Sequence, residues 1–394
     1  MPSTLSPPQH ALPEAPPLHG RDIICFSHDW TGDPLSRTHL MRLLARDNRI
    51  LWVNSIGSRA PKLSKADARR AFRKLTAAAQ PMREVEQNIF VINPLMIPAY
   101  GSKLIGRLNR RLLAWQVARA ARRLNFSRPI NWTSNPAAAV VAGAFNEEQL
   151  IYHCVDENSA FSGVSADAIA SLENQLLRKA DLVVVTAERL YQSKSKISHR
   201  TILIRHGVDH EHFRRALDPD LAVPSDVASL RRPILGFFGL IADWVDTELL
   251  AKVASRFPQA SLVLLGKATT DVGSLQALSN VRLLGRKPYE ELPAYCKAFD
   301  VGLMPFRINE LTLNANPLKV REYLAAGLEV VSTAIPEVAV LDHCHVAVDS
   351  NQFLASLDRV LKHPAPRRTV SDSVRGESWE ARLNEIRDHL RRTA

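Results

Sequence analysis

The stretch NPLKVREYLAAGLEVVSTAIPEV (Asn316–Val338) reads as a helix that begins near a proline and leads into a buried strand. Pro317 suits a first helical turn, where an absent N–H is no loss. Lys319 and Glu322 then fall one turn apart and share a face. Such a face offers a cation for a diphosphate and a carboxylate for ribose hydroxyls. The plainer reading is a solvated i, i+3 ion pair on an amphipathic helix. After the helix, EVVST (Glu329–Thr333) has the short apolar character of a strand buried in a parallel sheet.

The same kind of strand recurs on the N-terminal side of this segment, as RPILGFFG (Arg232–Gly239), ASLVLLG (Ala260–Gly266), NVRLLG (Asn280–Gly285) and DVGLMPF (Asp300–Phe306). A second series precedes residue 211: DIICFSHDW (Asp22–Trp30), ILWVNS (Ile50–Ser55), NIFVINP (Asn88–Pro94), RPINWT (Arg128–Thr133), QLIYHCVD (Gln149–Asp156), DLVVVTA (Asp181–Ala187) and TILIRHGVD (Thr201–Asp209). Helical segments separate most of these strands, which implies two doubly wound parallel sheets. Ligands of such sheets sit beyond the carboxyl ends of the strands, so two facing sheets make a cleft. The expected division is a tail over 1–19, an acceptor-binding domain over 20–211, a donor-binding domain over 212–375, and a helix over 376–394 that crosses back to the first domain.

At 394 residues the chain is long enough for two domains that each bury a core. Lys and Arg number 51 against 40 Asp and Glu, a net charge of +11 that points to an anionic partner without choosing among nucleotide, lipid and nucleic acid. The four cysteines, Cys25, Cys154, Cys296 and Cys344, form no CxxC pair, which disfavours a zinc site or a disulfide framework and fits a reduced cytoplasm. Six prolines precede Gly20 with no basic region and apolar run, so the N-terminus reads as a disordered tail and not a secretory signal. No run of about 18 apolar residues occurs, so any membrane contact is expected to be peripheral.

With these residues in view, the chain resembles the GT-B glycosyltransferases, whose donor domains carry a comparable Pro-x-Lys-x-x-Glu-Tyr-Leu-Ala-x-Gly-x-x-Val-Val-Ser-Thr segment. The likeness extends through GFFGLIADWVDTELL (Gly236–Leu250), LLGRKPYEELPAYCKAFDVGLMPF (Leu283–Phe306) and IRHGVDHEHF (Ile204–Phe213). It implies a GT-B fold, α/β with two Rossmann-like sheets across a cleft, and a nucleotide diphosphate-sugar donor, UDP-sugar favoured. The donor-binding residues expected are Gly239, Arg205, Arg286, Asn316, Leu318, Lys319 and Glu322, with Lys319 near the phosphates and Glu322 near the ribose. Gly236 and Gly239 close a buried strand in a tight loop, and Asp246 or Thr247 caps a helix whose N-terminus faces an anion.

Two departures stand out. Many retaining relatives place a Glu eight positions before the residue matching Glu322; here that position is Asn314, and the nearest acid is Glu310. Many relatives also carry an Arg and a Lys after the loop at Gly239, where this chain has LIADWVDTE. Phosphate neutralisation then rests on Lys319, Arg205 or helix dipoles.

Within the GT-B enzymes the chain is similar to the xanthan-type glucuronosyltransferase group at SHDW (Ser27–Trp30), YHCVD (Tyr152–Asp156) and HGVDHEHF (His206–Phe213). That resemblance implies Asp156 as the base that takes the acceptor hydroxyl's proton in an inverting transfer. His28 and Asp29 are the competing acceptor contacts, or else structural strand-end residues. Two basic stretches, Arg59–Leu75 and Gly101–Asn125, are rich in Lys and Arg; the second holds seven cations and no acid, interleaved with Leu104, Ile105, Leu108, Leu112, Leu113 and Trp115. Such a helix rests on an anionic bilayer, or packs its apolar face in a core.

The function this reading supports is sugar transfer to a glycan or lipid-linked acceptor, in the cytoplasm or on the inner face of a membrane, in polysaccharide or glycoconjugate synthesis. A nucleotide-sugar epimerase of the same architecture leaves the basic stretches unexplained. A non-catalytic protein of this fold that binds an anionic membrane or polymer is the other alternative. An NAD-dependent dehydrogenase is a poor fit, because the first strand runs into SHDWTGD without a G-x-G-x-x-G. No nucleic acid, no cofactor and no metal are expected, since no cluster of ligating residues occurs at metal spacing.

Overall fold

The structure, a computed structural model, describes residues 18–56, 81–96 and 103–393. The basic stretch Arg59–Leu75 and residues 1–17 of the proline-rich tail lie outside the described residues. Leu18, which composition assigns to that tail, is buried, and its carbonyl accepts from Asn48 Nδ2 at 2.9 Å.

The first half forms β1 (Asp22–Phe26), β2 (Arg49–Val53), β3 (Arg83–Glu86), β4 (Ile89–Ile92), β5 (Ile130–Thr133), β6 (Gln149–Cys154), β7 (Leu182–Val185) and β8 (Thr201–Leu203). They make an eight-stranded sheet in the order β3-β4-β2-β1-β5-β6-β7-β8, parallel except for the β3–β4 pair. The second half forms β9 (Ile234–Phe238), β10 (Ser261–Leu265), β11 (Val281–Gly285), β12 (Val301–Met304), β13 (Val330–Thr333) and β14 (Cys344–Ala347). These give a six-stranded, all-parallel sheet in the order β11-β10-β9-β12-β13-β14. Both sheets are doubly wound, and each reverses direction beside its first strand, the place where such sheets take ligands. β3 and β14 are additions to the sequence reading. REVE is a mostly charged edge strand, and CHVA is a half-buried edge strand, so neither shows a buried apolar run.

Seven helices matter for the site: α1 (Ser36–Leu44), α2 (Lys103–Arg123), α3 (Ala166–Lys179), α4 (Glu188–Lys194), α5 (Thr247–Arg256), α6 (Leu318–Ala325) and α7 (Trp379–Thr393). α5 starts where the Asp246 carboxylate accepts the Leu249 N–H at 2.9 Å, and it buries Leu249, Leu250, Val253 and Ala254 on one face.

The chain crosses between the halves twice, at neighbouring points. Val208 donates its N–H to the Glu377 carbonyl at 2.9 Å, and a β-carbon on Gly207 would lie 2.8 Å from the Trp379 nitrogen. After that crossing, α7 packs Trp379, Leu383, Ile386 and Leu390 into the core that holds Leu18, Ile23, Trp52 and Trp132. That spacing of four, three and four residues is the stripe of an amphipathic helix.

α2 places Leu113, Val117, Ala120 and Ala121 in the core of the first half. Its outer face leaves Leu108 51% and Trp115 54% exposed. Arg107, Arg110, Arg111, Arg119, Arg122 and Arg123 surround them, all exposed. Among the described residues no helix is long and apolar enough to cross a membrane.

Candidate active site

β9 is followed directly by Gly239, whose φ of 126° suits glycine. The Lys319 side chain from α6 lies against it, so a β-carbon on Gly239 would overlap Lys319 Cε and stand 2.8 Å from Nζ. Gly266, at the end of β10, sits equally close to the Gly239 carbonyl. α6 is fixed against β9 because the Tyr323 hydroxyl accepts the Phe238 N–H at 2.9 Å. Local packing therefore brings the loop after the first strand of this sheet and the start of α6 together, with the lysine spread between them.

A cavity of about 350 Å³ opens at this point; Gly239, Arg286, Tyr289, Lys319 and Glu322 line it from the second half and Asp33 from the first. Leu318 forms an apolar part of its wall. Lys319 and Glu322 thus share one face and one cavity. Burial pushes the Lys319 ammonium down, opposed by the carboxylates of Glu322, Asp33 and Asp156. Burial pushes Glu322 up to about 7, with Lys319 acting against it and Asp33 and Asp209 acting with it. Among the described residues the Lys319 ammonium has no hydrogen-bond partner, so the site presents a half-desolvated cation to an incoming anion.

Arg286 reaches across the mouth of this cavity to the opposite half, with its Nε 3.1 Å from Asp33 Oδ1. Both side chains are more than half exposed. Beside them, Ser162 donates to Asp243, and the Phe161 and Trp244 rings meet edge to face at 6.3 Å. These contacts bridge the two halves at the surface.

Two residues expected at the donor are instead used to join the halves. The Asn316 amide donates to the Thr186 carbonyl at 2.7 Å and accepts from Arg321 at 2.7 Å, both ends being committed. Arg205 pairs with Glu337 at 2.7 Å, and Glu337 also accepts the Glu188 N–H at the start of α4. Their side chains are pegs between the sheets, a role that depends on which half each one faces.

In the first half, Asp156 follows β6 and is half-buried. Burial raises its carboxyl above the ordinary range, opposed by Arg37 from its own half and Lys319 from the other. The turn that carries it is fixed from below. Asn158 donates to the Asp156 carbonyl at 3.1 Å, and Lys194 holds Glu157 at 2.7 Å and Glu173 at 2.8 Å. Glu173 in turn accepts from the Tyr152 hydroxyl at 2.5 Å.

His28 lies at the end of β1 with both ring nitrogens engaged, Nδ1 to Ser27 Oγ at 3.0 Å and Nε2 to Thr38 Oγ1 at 3.2 Å. Burial, aided by Arg37, pushes it down to about 3 and keeps it neutral. Asp29 accepts from the Ser55 N–H at 3.1 Å and the Ser55 hydroxyl at 2.7 Å, which ties the β1 loop to the β2 loop. Of the three candidates in this half, Asp156 alone has a carboxylate set between two cations. Sequence reasoning missed Asp33 and Arg37: both follow β1, but no spacing in SHDWTGDPLSR marks either as facing the cleft. Among the described residues no group of His, Cys, Asp and Glu is placed to hold a metal.

Comparison with known proteins bears on the fold and the second half of the chain. Residues 232–363 match the family described as "Glycosyl transferases group 1". The chain is 24% identical over 286 residues to TuaH of Bacillus subtilis (strain 168), which carries the name of a teichuronic acid biosynthesis glycosyltransferase; the match covers 68% of this chain and 69% of that protein. Among solved structures, sucrose-phosphate synthase from Thermosynechococcus elongatus superposes with a TM-score of 0.67 at 17% identity, covering 95% of this chain and 99% of the other. The Anabaena protein HepE, solved in complex with UDP and glucose, gives a TM-score of 0.65 at 14% identity, covering 94% and 99%.

Proposed function

From the premise that the chain carries a glycosyl transferases group 1 domain within a GT-B fold, we propose that it transfers a sugar from a nucleotide diphosphate-sugar, a UDP-sugar, to a hydroxyl of a glycan or lipid-linked acceptor in polysaccharide synthesis. One observation carries the reading: Lys319 and Glu322 from one sheet share a cavity, and Asp156 from the opposite sheet acts on the same lysine.

In this reading the diphosphate lies against Gly239 and Lys319, and Glu322 accepts from the ribose hydroxyls. The acceptor oxygen attacks the anomeric carbon while the bond to the diphosphate breaks and the nucleotide leaves with the electron pair. Asp156 takes the acceptor's proton, in an inverting displacement. Asn314 supports that outcome over retention, because it is buried and its amide donates to Glu310 Oε1 at 2.8 Å, leaving no carboxylate at its position. Lys319 and oriented backbone dipoles offset the leaving charge, so the reaction proceeds in the presence of a chelator. The names of TuaH and HepE support a polysaccharide acceptor and a uridine base.

The test is a calorimetric panel of UDP, GDP, ADP and dTDP against wild-type protein and Lys319→Ala. Binding of UDP in preference to the others, lost in the variant, is the expected result. No nucleotide binding by folded wild-type protein would overturn the reading in favour of a non-catalytic protein.

The exposed face of α2 supports a second element. Six arginines without an acid, around Leu108 and Trp115, suit an anionic bilayer surface, with the apolar side chains at the acyl boundary and the cations at headgroups.

A further inference from the structure

Arg37 is a cation at the acceptor side of the cleft for which sugar transfer, as set out above, has no use. It stands in the first turn of α1, directly after the loop that leaves β1. Its Nε donates to Ser27 Oγ at 3.0 Å, and that hydroxyl also meets His28 Nδ1. The guanidinium is therefore held by one nitrogen. Among the described residues, neither terminal nitrogen has a hydrogen-bond or ion-pair partner. The fork is left open to solvent, and it has the geometry for a carboxylate or a phosphate.

Its placement identifies which substrate it faces. β1 and β6 flank β5 in the sheet, so the segments that follow them put Arg37 and Asp156 along one carboxyl edge, about two strand spacings apart. Asp156 is acted on by both Arg37 and Lys319. It thus has Arg37 acting on it from its own half and Lys319, which lines the donor cavity, from the other. The neighbouring imidazoles of His28 and His153 are both pushed down to about 3 by burial, so Arg37 is the standing charge of that corner.

We infer that the acceptor is anionic and that the free edge of Arg37 binds its phosphate or carboxylate group, beside the hydroxyl that Asp156 deprotonates. The inference rests on the sugar-transfer reading for the identity of the acceptor side. A phosphate there belongs to a lipid-linked carrier, and a carboxylate belongs to a uronate unit of a glycan.

The test titrates inorganic phosphate, glucuronate and the neutral control glucose into UDP-saturated protein, as wild type, Arg37→Met and Arg37→Lys. At least one anion should bind the wild type where glucose does not, and its Kd should rise tenfold or more in Arg37→Met, with UDP affinity changed less than twofold. Arg37→Lys, which keeps the charge and loses the fork, should fall between them, and it replaces the methionine variant if that one does not fold. Phosphate preference indicates the lipid carrier and glucuronate preference the glycan. A tenfold loss of UDP affinity in Arg37→Met would reassign the arginine to the donor diphosphate and overturn the inference. Equal anion binding by wild type and Arg37→Met, or none by the wild type, would also overturn it. If UDP fails to bind wild-type protein, it is the donor reading that fails, and the same anion titration on unliganded protein still reads Arg37.

Discussion

The Lys319 side chain occupies the space that a β-carbon on residue 239 would need, and its Nζ lies 2.8 Å from where that carbon would be. The glycine is thus required twice, by its φ of 126° and by its neighbour. Gly239→Ala should displace the lysine and weaken UDP binding by about tenfold or more, as is expected of Lys319→Ala. If Gly239→Ala binds UDP like the wild type, the contact between loop and lysine has no part in holding the diphosphate.

Asp156→Asn keeps the shape of the side chain and removes the base. A general base contributes roughly 10²- to 10⁴-fold, so kcat should fall by that order, with UDP affinity unchanged. Because burial already raises the Asp156 carboxyl, the acid limb of the wild-type kcat profile should lie above the ordinary aspartate range. Full activity in the asparagine variant would assign the proton to another group.

Glu322 supplies a pH dependence of its own. Burial lifts it from the ordinary 4.5 to about 7, and a neutral carboxyl is the weaker acceptor for ribose hydroxyls. UDP affinity should therefore increase by about tenfold between pH 6 and 8, with proton release on binding, and Glu322→Gln should flatten that rise. For the unliganded fold the sign is opposite. A raised carboxyl favours the folded state fully below its unfolded value of 4.5, and that contribution is lost as pH rises through 7.

Lys194 is buried against two carboxylates, Glu173 and Glu157. Removing one partner of a buried pair costs about 3–5 kcal/mol. Lys194→Met should lower the melting temperature by roughly 10 °C. Adding Glu173→Gln should recover part of the loss, since it removes the stranded charge. A single variant that melts like the wild type would show that the network bears no stability.

The arginine face of α2 should sediment the protein with phosphatidylglycerol vesicles and not with phosphatidylcholine vesicles. At about 1 kcal/mol per surface cation, the double reversal Arg111→Glu with Arg119→Glu should reduce binding more than tenfold. Trp115→Ala should weaken it without changing the lipid preference. Equal binding of both vesicle types would remove the electrostatic basis of the assignment.

Where sequence pattern and structure agree, the signal was local. The buried strands read as apolar runs because both faces of a parallel sheet are covered, and Lys319 and Glu322 share a face because helix geometry places residues three apart together. The sequence neighbourhood of Asn316 and Arg205 points to the donor, but each side chain turns to the opposite half, and no local pattern encodes that direction. Arg37 has the same character. Its meaning depends on a carboxylate more than a hundred residues away and on the hydroxyl that holds its Nε. Edge strands β3 and β14 escaped because half-exposed strands have no continuous apolar run.

The return of α7 to the first half has a consequence for synthesis on the ribosome. The N-terminal sheet is made first, yet part of its core is Trp379, Leu383, Ile386 and Leu390. Until those residues emerge, that sheet has an apolar groove where α7 will lie, while the second half already has every strand of its own sheet. The first half is the first to be translated and the last to be closed, so the nascent chain passes through a stage at which that groove is open to chaperones or to other chains.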